Sequence, residues 1–160
     1  MGNRWIMMFS LFIVHYSLFI SPVGAQSFEL RRGHDSLYWL NDWRLPYPVY
    51  QFQTGDVDGD GRTDALVGVI KATRYDPKSG RRLFIFKNYK GYVRPLWLGT
   101  RLGGILQEFR YINGVVRSLE TTNDQLYVVA EYKWEHFGMR FHRFLAKNVT
   151  REEALKIFRE

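Results

Sequence analysis

From residue 47 to residue 146, apolar and polar positions form short runs separated by turn residues. The runs are rich in β-branched and aromatic side chains, which is typical of strands. They cover Tyr47–Phe52, Ala65–Thr73, Leu83–Lys87, Tyr92–Leu98, Leu106–Ile112, Val115–Leu119, Leu126–Trp134 and Met139–Leu145. In the run that begins at Leu126, apolar residues alternate with polar ones, which places them on one face of a strand. The pattern predicts eight or nine strands with short connections.

The connections have the chemistry of tight turns. Asp76–Gly80 carries Pro early and Gly late. Asn113-Gly114 lies between two β-runs and is typical of a type I′ hairpin turn, whose central residues both need a positive φ. The hairpins form two groups of four strands, 48–98 and 105–146, which suggest a degenerate repeat. We therefore predict an all-β fold of antiparallel hairpins in two blade-like sheets, arranged as a propeller fragment, a sandwich or a half-open barrel.

The two ends of the chain differ from this pattern. Residues 1–25 read as a signal peptide: one charge at Arg4, an apolar run, and the small residues Val23-Gly24-Ala25 before the cleavage point. An uncleaved membrane anchor is the alternative, but the run is shorter than a spanning helix needs. The remaining residues 26–160 are predicted to form one β-rich domain that starts with a mobile segment over 26–36.

A short helix is predicted at the C-terminal end, over 151–159. Thr150 and Glu153 have the spacing of a capping box, in which each residue bonds the backbone of the other. Apolar residues then recur at helical spacing, so the helix is expected to dock on a sheet and to protect an open edge.

Composition narrows the compartment and the partners. The chain has no cysteine, so it has neither a disulfide nor a lipid-modified cysteine, and the 22 aromatic residues among residues 26–160 are expected to supply much of the core. The net charge is +7, but Lys and Arg are scattered rather than clustered, which does not favour nucleic-acid binding. We expect a secreted or periplasmic protein with no membrane span after signal cleavage.

The stretch GDVDGDGRTDALVG is unusually acidic for a basic chain. Its oxygen donors alternate along the loop 56–64, and Gly61 falls where a calcium loop turns sharply. The residues at ligand positions one, three, five, seven and nine are Asp56, Asp58, Asp60, Arg62 (through its carbonyl) and Asp64. Position twelve is Val67 rather than Glu, and both flanks read as strand. The pattern therefore predicts a calcium loop between strands and not an EF-hand; a solvated Asp/Gly turn is the alternative.

This stretch resembles the signature of FG-GAP and VCBS-type repeats, the blades of integrin-like β-propellers. The resemblance implies that the loop joins the first two strands of a blade and that the five residues at 56, 58, 60, 62 and 64 bind calcium. RRLFIFKN, PLWLGTRLGG and EYKWEHFGMRFHRF also resemble segments of small exported bacterial proteins with one such loop. The second group of strands has Asn113-Gly114 and no aspartates at the corresponding place, so one structural Ca²⁺ is expected.

The length is too short for a closed propeller, which typically needs four to eight blades of roughly 40–50 residues. Two blade-like sheets packed face to face in a monomer are favoured, and a ring of several chains is the alternative.

No motif for catalysis is present in the sequence: there is no Gly-x-Ser-x-Gly elbow and no thiol nucleophile. Two weaker candidates remain. Glu131 and Glu135 could serve as acid and base of a hydrolase acting on an envelope polymer, provided that one has a raised pKa. His136 and His142 flank a turn near Glu135 and could hold a transition metal.

Aromatic residues could instead form a platform for a sugar or peptide, although core packing is the commoner role. The candidates are Trp39, Trp43, Tyr47, Tyr50, Trp97, Tyr111 and Trp134. The sequence thus favours an exported, non-enzymatic protein with a structural calcium loop that recognises a protein or an envelope glycan.

Overall fold

A computed structural model describes residues 27–34, 37–74, 76–99 and 102–160; the predicted signal peptide lies outside these ranges. Within them the chain forms eleven strands and one helix. The strands are β1 (Leu30–Arg32), β2 (Tyr38–Leu40), β3 (Trp43–Leu45), β4 (Val49–Gly55), β5 (Asp64–Lys71), β6 (Gly80–Tyr89), β7 (Tyr92–Trp97), β8 (Ile105–Ile112), β9 (Val115–Thr121), β10 (Tyr127–Glu135) and β11 (Gly138–Val149), and the helix is α1 (Arg151–Arg159).

The strands form three antiparallel sheets in which neighbours in the chain are neighbours in space. The N-terminal sheet has the order β1-β2-β3, the central sheet β4-β5-β6-β7 and the C-terminal sheet β8-β9-β10-β11. The predicted all-β class with hairpin connections and a short C-terminal helix is confirmed. Asn113 and Gly114 have φ values of 45° and 83°, as the predicted type I′ turn requires.

The N-terminal sheet was not predicted. The expectation of a mobile segment over 26–36 is wrong for Leu30–Arg32, which pairs with Tyr38–Leu40. The Asn41 side chain fixes this corner, because its Oδ1 accepts a hydrogen bond from the Glu29 N–H at 2.7 Å. Strands of three residues are too short to show a period in the sequence, which is why the pattern of apolar positions did not predict them. They pack on the central sheet through Leu40 and Leu45.

The central sheet is covered on both faces. Val67 and Phe84 pack with Leu40 of the N-terminal sheet. Leu66, on the opposite face of β5, packs with Phe109 of the C-terminal sheet. Because both faces are buried, β5 is apolar at almost every position from Ala65 to Val69, rather than alternating.

Side-chain amides join the central and C-terminal sheets at their β4 and β8 edges. The Gln51 amide donates to the Phe109 carbonyl at 2.6 Å and accepts from the Phe109 N–H at 3.2 Å. Gln53 Oε1 accepts from the Tyr111 N–H at 2.8 Å. The β8 edge is therefore satisfied without a further strand, which fixes the position of β8 beside the acidic loop.

Helix α1 covers the outer face of the C-terminal sheet, where Ala154 and Phe158 pack against Leu119 and Val129. The predicted capping box is present: Thr150 Oγ1 accepts from the Glu153 N–H at 3.3 Å, and Glu153 Oε2 accepts from the Thr150 N–H at 3.0 Å. The helix thus docks on a sheet as expected, but it covers a face rather than an edge, because its apolar stripe is wide enough to bury against several strands.

Candidate metal centre

The acidic loop connects β4 to β5, the first two strands of the central sheet. Gly59 and Gly61 have φ values of 74° and 80°, a conformation that side chains with a Cβ rarely adopt. Val57 anchors the loop from below, since it is buried in the cluster between the central and C-terminal sheets. The loop backbone is therefore held in place by a buried side chain.

Three of the aspartates converge. Asp56, Asp58 and Asp64 each offer one carboxylate oxygen, and these oxygens lie within 4.8 Å of one another. A calcium ion binds oxygens at 2.3–2.6 Å, so ligands on opposite sides of the ion are separated by roughly 4.6–5.2 Å. The spacing of the three oxygens therefore suits a cation of this size.

Two oxygens of this group lack a partner. Asp56 Oδ1 and Asp64 Oδ1 are buried and accept no hydrogen bond within the described residues. A buried acceptor without a donor costs about 1–3 kcal/mol, more when it is charged. Their companion oxygens are satisfied: Asp56 Oδ2 accepts from the Gly61 N–H, and Asp64 Oδ2 from the Val57 N–H, both at 2.9 Å. Each of these two carboxylates therefore has one hydrogen-bonded oxygen and one buried oxygen without a hydrogen-bond donor.

Burial raises the pKa of Asp64 to about 6, and the nearby negative charge of Asp58 acts in the same direction. The Val57 N–H opposes this shift but does not outweigh it. Asp64 is fully buried, whereas Asp56 and Asp58 are partly exposed. A bound cation would oppose this shift, because a nearby positive charge stabilises the ionised carboxylate.

The sequence analysis missed Lys87, which supplies a positive charge to the loop. Its Nζ lies 2.5 Å from Asp58 Oδ2 and 3.0 Å from Asp60 Oδ2. The Lys87 hydrogen bond is the main cause that lowers the pKa of Asp60. The register of the β5–β6 hairpin is the feature that indicates this contact. Ala65 pairs with Phe86, so the next residues, Asp64 and Lys87, lie at the same end of the two strands.

Tyr111 is a second contact that the sequence did not indicate. Its hydroxyl donates to the Asp56 backbone carbonyl at 2.6 Å, and so β8 of the C-terminal sheet holds the first residue of the loop. The ring lies directly against Gly55, where a Cβ would overlap its atoms. Gly55 is therefore needed for the close approach of this ring, and not for the conformation of the loop alone.

The five predicted ligands are not equally placed. Asp56, Asp58 and Asp64 form the cluster, while Asp60 lies on the exposed side and bonds Lys87. The Asp60 carboxylate also accepts from the Arg62 N–H at 2.9 Å, which shapes the turn.

The paired carboxylates Glu131 and Glu135 have different surroundings. Glu131 is buried between two guanidinium groups, with Arg117 at 3.0 Å and Arg143 at 2.7 Å. Burial favours its neutral form, but the hydrogen bonds from Arg143 and Arg117 outweigh burial and lower its pKa. A general acid needs the opposite shift. Glu135 is exposed and pairs with Arg140 at 3.1 Å.

The histidine candidates do not belong to the acidic group, and the aromatic candidates do not share one surface. Within the described ranges, the metal-capable group of three side chains is the acidic one, and it includes neither His136 nor His142. Six of the seven aromatic candidates are divided between the two faces of the central sheet, whereas Trp39, on β2, is exposed. Trp43 and Tyr47 pack on the face toward the N-terminal sheet, whereas Tyr50, Trp97, Tyr111 and Trp134 pack on the face toward the C-terminal sheet.

No helix within the described residues has the length and apolarity to cross a membrane. Compared with known proteins, the chain matches no family model, no curated protein and no solved structure.

Proposed function

We propose that this chain is an exported, non-enzymatic recognition protein whose acidic loop binds one structural Ca²⁺. The buried oxygens Asp56 Oδ1 and Asp64 Oδ1 carry this proposal, because both belong to the convergent carboxylate group and no donor of the described residues satisfies them. Oxygen-only carboxylate donors suit a hard cation, whereas transition metals favour sites with imidazole or thiolate ligands.

The position of the loop also supports calcium. It joins the first two strands of a four-stranded antiparallel meander, as the resemblance to FG-GAP and VCBS-type repeats implies. Bound calcium would neutralise the Asp56–Asp58–Asp64 group and hold the ends of β4 and β5 in register. Asp60 and the Arg62 carbonyl would complete the ligand set of that resemblance.

Recognition of a protein or an envelope glycan is the role proposed for the domain as a monomer. The predicted signal peptide supports a location in the periplasm or outside the cell. The arginine pair that keeps Glu131 ionised offers no support for the hydrolase alternative.

Light scattering of the purified protein should give the mass of a single chain, and a larger closed assembly would favour the ring alternative.

Calorimetric titration with CaCl₂ after chelation tests the metal. We expect one ion per chain and, at a hundredfold excess over Kd, a rise in Tm on the order of 5–10 °C. Asp64→Asn should abolish both effects, while Asp124→Asn, an exposed residue in the 122–125 turn, should leave them intact. An unchanged melt in EDTA together with no binding heat would overturn the proposal, and tighter binding of Mg²⁺ than of Ca²⁺ would overturn the choice of metal.

A further inference from the structure

A cleft of about 320 Å³ lies between the N-terminal sheet and the central sheet. Its walls come from β3 and the residues that follow it, from the end of β5 and from the middle of β6. Small-molecule sites in proteins are typically about 300–1,000 Å³ and often lie between packed units of structure. The cleft is therefore large enough for one ligand of the size of a single ring.

The lining combines rings with positive charge. The aromatic side chains are Trp43, Tyr47, Phe84 and Phe86, and the basic ones are Arg44, Lys71 and Arg74. None of the lining residues, all of them within the described ranges, is Asp or Glu. An apolar wall with cations and no carboxylate complements a ligand that has one flat apolar face and one negative charge.

Lys71 is the best-placed cation of this lining. Its ammonium lies 4.0 Å from the centre of the Tyr47 ring and 5.9 Å from that of Phe84. The ion pairs of the described residues do not include Lys71. Contact with a ring face orients an ammonium, and the N–H donors that do not face the ring stay available to an anion. Lys71 can therefore direct those donors to an anion in the cleft.

We propose that this cleft binds a small carboxylate carried on a ring, with Lys71 as the partner of the carboxylate and the aromatic wall as the support for the ring. A uronic acid residue of an acidic glycan and an aromatic carboxylic acid share this chemistry. The inference deepens the proposed recognition role and rests on it, but it does not involve the metal centre. Asp64 and Lys71 begin and end β5, so the two sites are separated by roughly 20 Å along that strand.

Titration of the calcium-loaded, isotope-labelled protein by NMR tests the cleft with four probes. Sodium glucuronate and sodium benzoate each carry a carboxylate on a ring; glucose has the ring without the charge, and acetate has the charge without the ring. We expect glucuronate or benzoate to shift signals of the lining residues with a Kd of roughly 1 mM, the range for a ligand of this size. Glucose and acetate should bind at least about tenfold more weakly.

Substitution of Lys71 distinguishes binding in the cleft from general attraction of an anion to a basic protein. Lys71→Met keeps the aliphatic stem and should weaken binding about tenfold or more, whereas Lys71→Arg should keep most of it. The control Lys133→Met removes one charge from an exposed position of β10 and should change nothing.

The outcomes are distinct. Tighter binding of glucuronate identifies the sugar source, and tighter binding of benzoate identifies the aromatic acid. If neither shifts the lining residues, or if Lys71→Met binds as the unmodified protein does, the cleft proposal is overturned. Because each titration is run on protein that already shows the calcium-dependent melt, this failure is separate from a failure of the metal site.

Discussion

The ammonium of Lys87 lies 2.5 Å from Oδ2 of Asp58, so strand β6 supplies a cation to the loop that joins β4 to β5. The same ammonium reaches Asp60 at 3.0 Å. Lys87 donates to Asp58 Oδ2 and Asp60 Oδ2, whereas Asp56 Oδ1 and Asp64 Oδ1 accept no hydrogen bond from the described residues. The lysine therefore compensates part of the negative charge of the loop but does not satisfy these two buried oxygens.

Replacement of Lys87 should make the protein more dependent on calcium. Lys87→Met removes a partly exposed cation with two carboxylate partners, and we expect the calcium-free protein to lose about 1–2 kcal/mol of unfolding free energy. The rise in Tm on adding CaCl₂ should then exceed that of the unmodified protein. Urea unfolding in EDTA and in CaCl₂ measures both quantities, with Lys133→Met as the charge-matched control. Equal losses in the two buffers would contradict a shared role of lysine and metal.

Calcium affinity should decrease as the pH is lowered, because protons compete with calcium for the Asp64 carboxylate. Its pKa is raised to about 6 in the ion-free protein, so calcium binding at pH 5 must first remove a proton from most molecules. We expect the Kd for calcium to be about tenfold larger at pH 5 than at pH 7. Calorimetry at constant ionic strength measures both values. A Kd that is the same at both values would show that Asp64 is not a ligand.

The raised pKa of Asp64 also affects the stability of the ion-free protein, which should decrease as the pH rises. A carboxyl group whose folded pKa exceeds its unfolded value of 3.8 stabilises the fold below pH 3.8, and this contribution is lost as the pH rises through about 6. In EDTA, Asp64→Asn should therefore gain in stability relative to the unmodified protein between pH 4 and pH 7. A constant difference over that range would mean that burial does not perturb this group.

Tyr132→Phe should destabilise the C-terminal sheet through a buried carboxylate. The Tyr132 hydroxyl donates to Glu120 Oε1 at 2.8 Å and accepts from the Gly103 N–H at 2.9 Å, while Glu120 is 2% exposed. Loss of the hydroxyl leaves the buried Glu120 side chain with one hydrogen-bond partner fewer and the Gly103 N–H without this acceptor, at a cost of about 1–3 kcal/mol. Chemical denaturation measures this cost. Tyr92→Phe, at an exposed position, should be neutral, and equal effects of the two would refute the network.

Arg117→Met should weaken the attachment of helix α1 to the C-terminal sheet. Arg117 pairs with buried Glu131 at 3.0 Å and donates to the Ile157 carbonyl at 3.0 Å, near the end of the helix. We expect a loss of about 3 kcal/mol, because the substitution leaves a buried carboxylate with less compensation. Arg143→Met should lower the free energy of unfolding by less, since Arg143 is largely exposed and water can supply hydrogen bonds in its place.

The pH dependence distinguishes this ion pair from simple packing. The lowered pKa of Glu131 means that its pairing stabilises the fold above the ordinary value of 4.5 and is lost as the pH falls through the folded value. The difference between Arg117→Met and the unmodified protein should therefore shrink in acid. A difference that stays constant down to pH 3 would assign the effect to the aliphatic stem of Arg117.

Local rules determined much of this protein. The two four-stranded meanders follow from the alternation of apolar runs with tight turns, since a hairpin needs only its own residues and the turn that joins them. The capping box at Thr150 and the turn at Asn113-Gly114 are equally local. The spacing of the aspartates likewise predicted which loop carries the carboxylate cluster.

The tertiary structure decided how these parts combine, because side chains distant in sequence met only when the sheets stacked. Lys87 reached the loop from the next hairpin, and Tyr111 reached it from another sheet across Gly55. The three-residue strands of the N-terminal sheet formed against the central sheet, and the cleft around Lys71 opened between those two sheets. Charge compensation and cavities depend on which faces are brought together, and a linear pattern of polar and apolar positions does not contain that information.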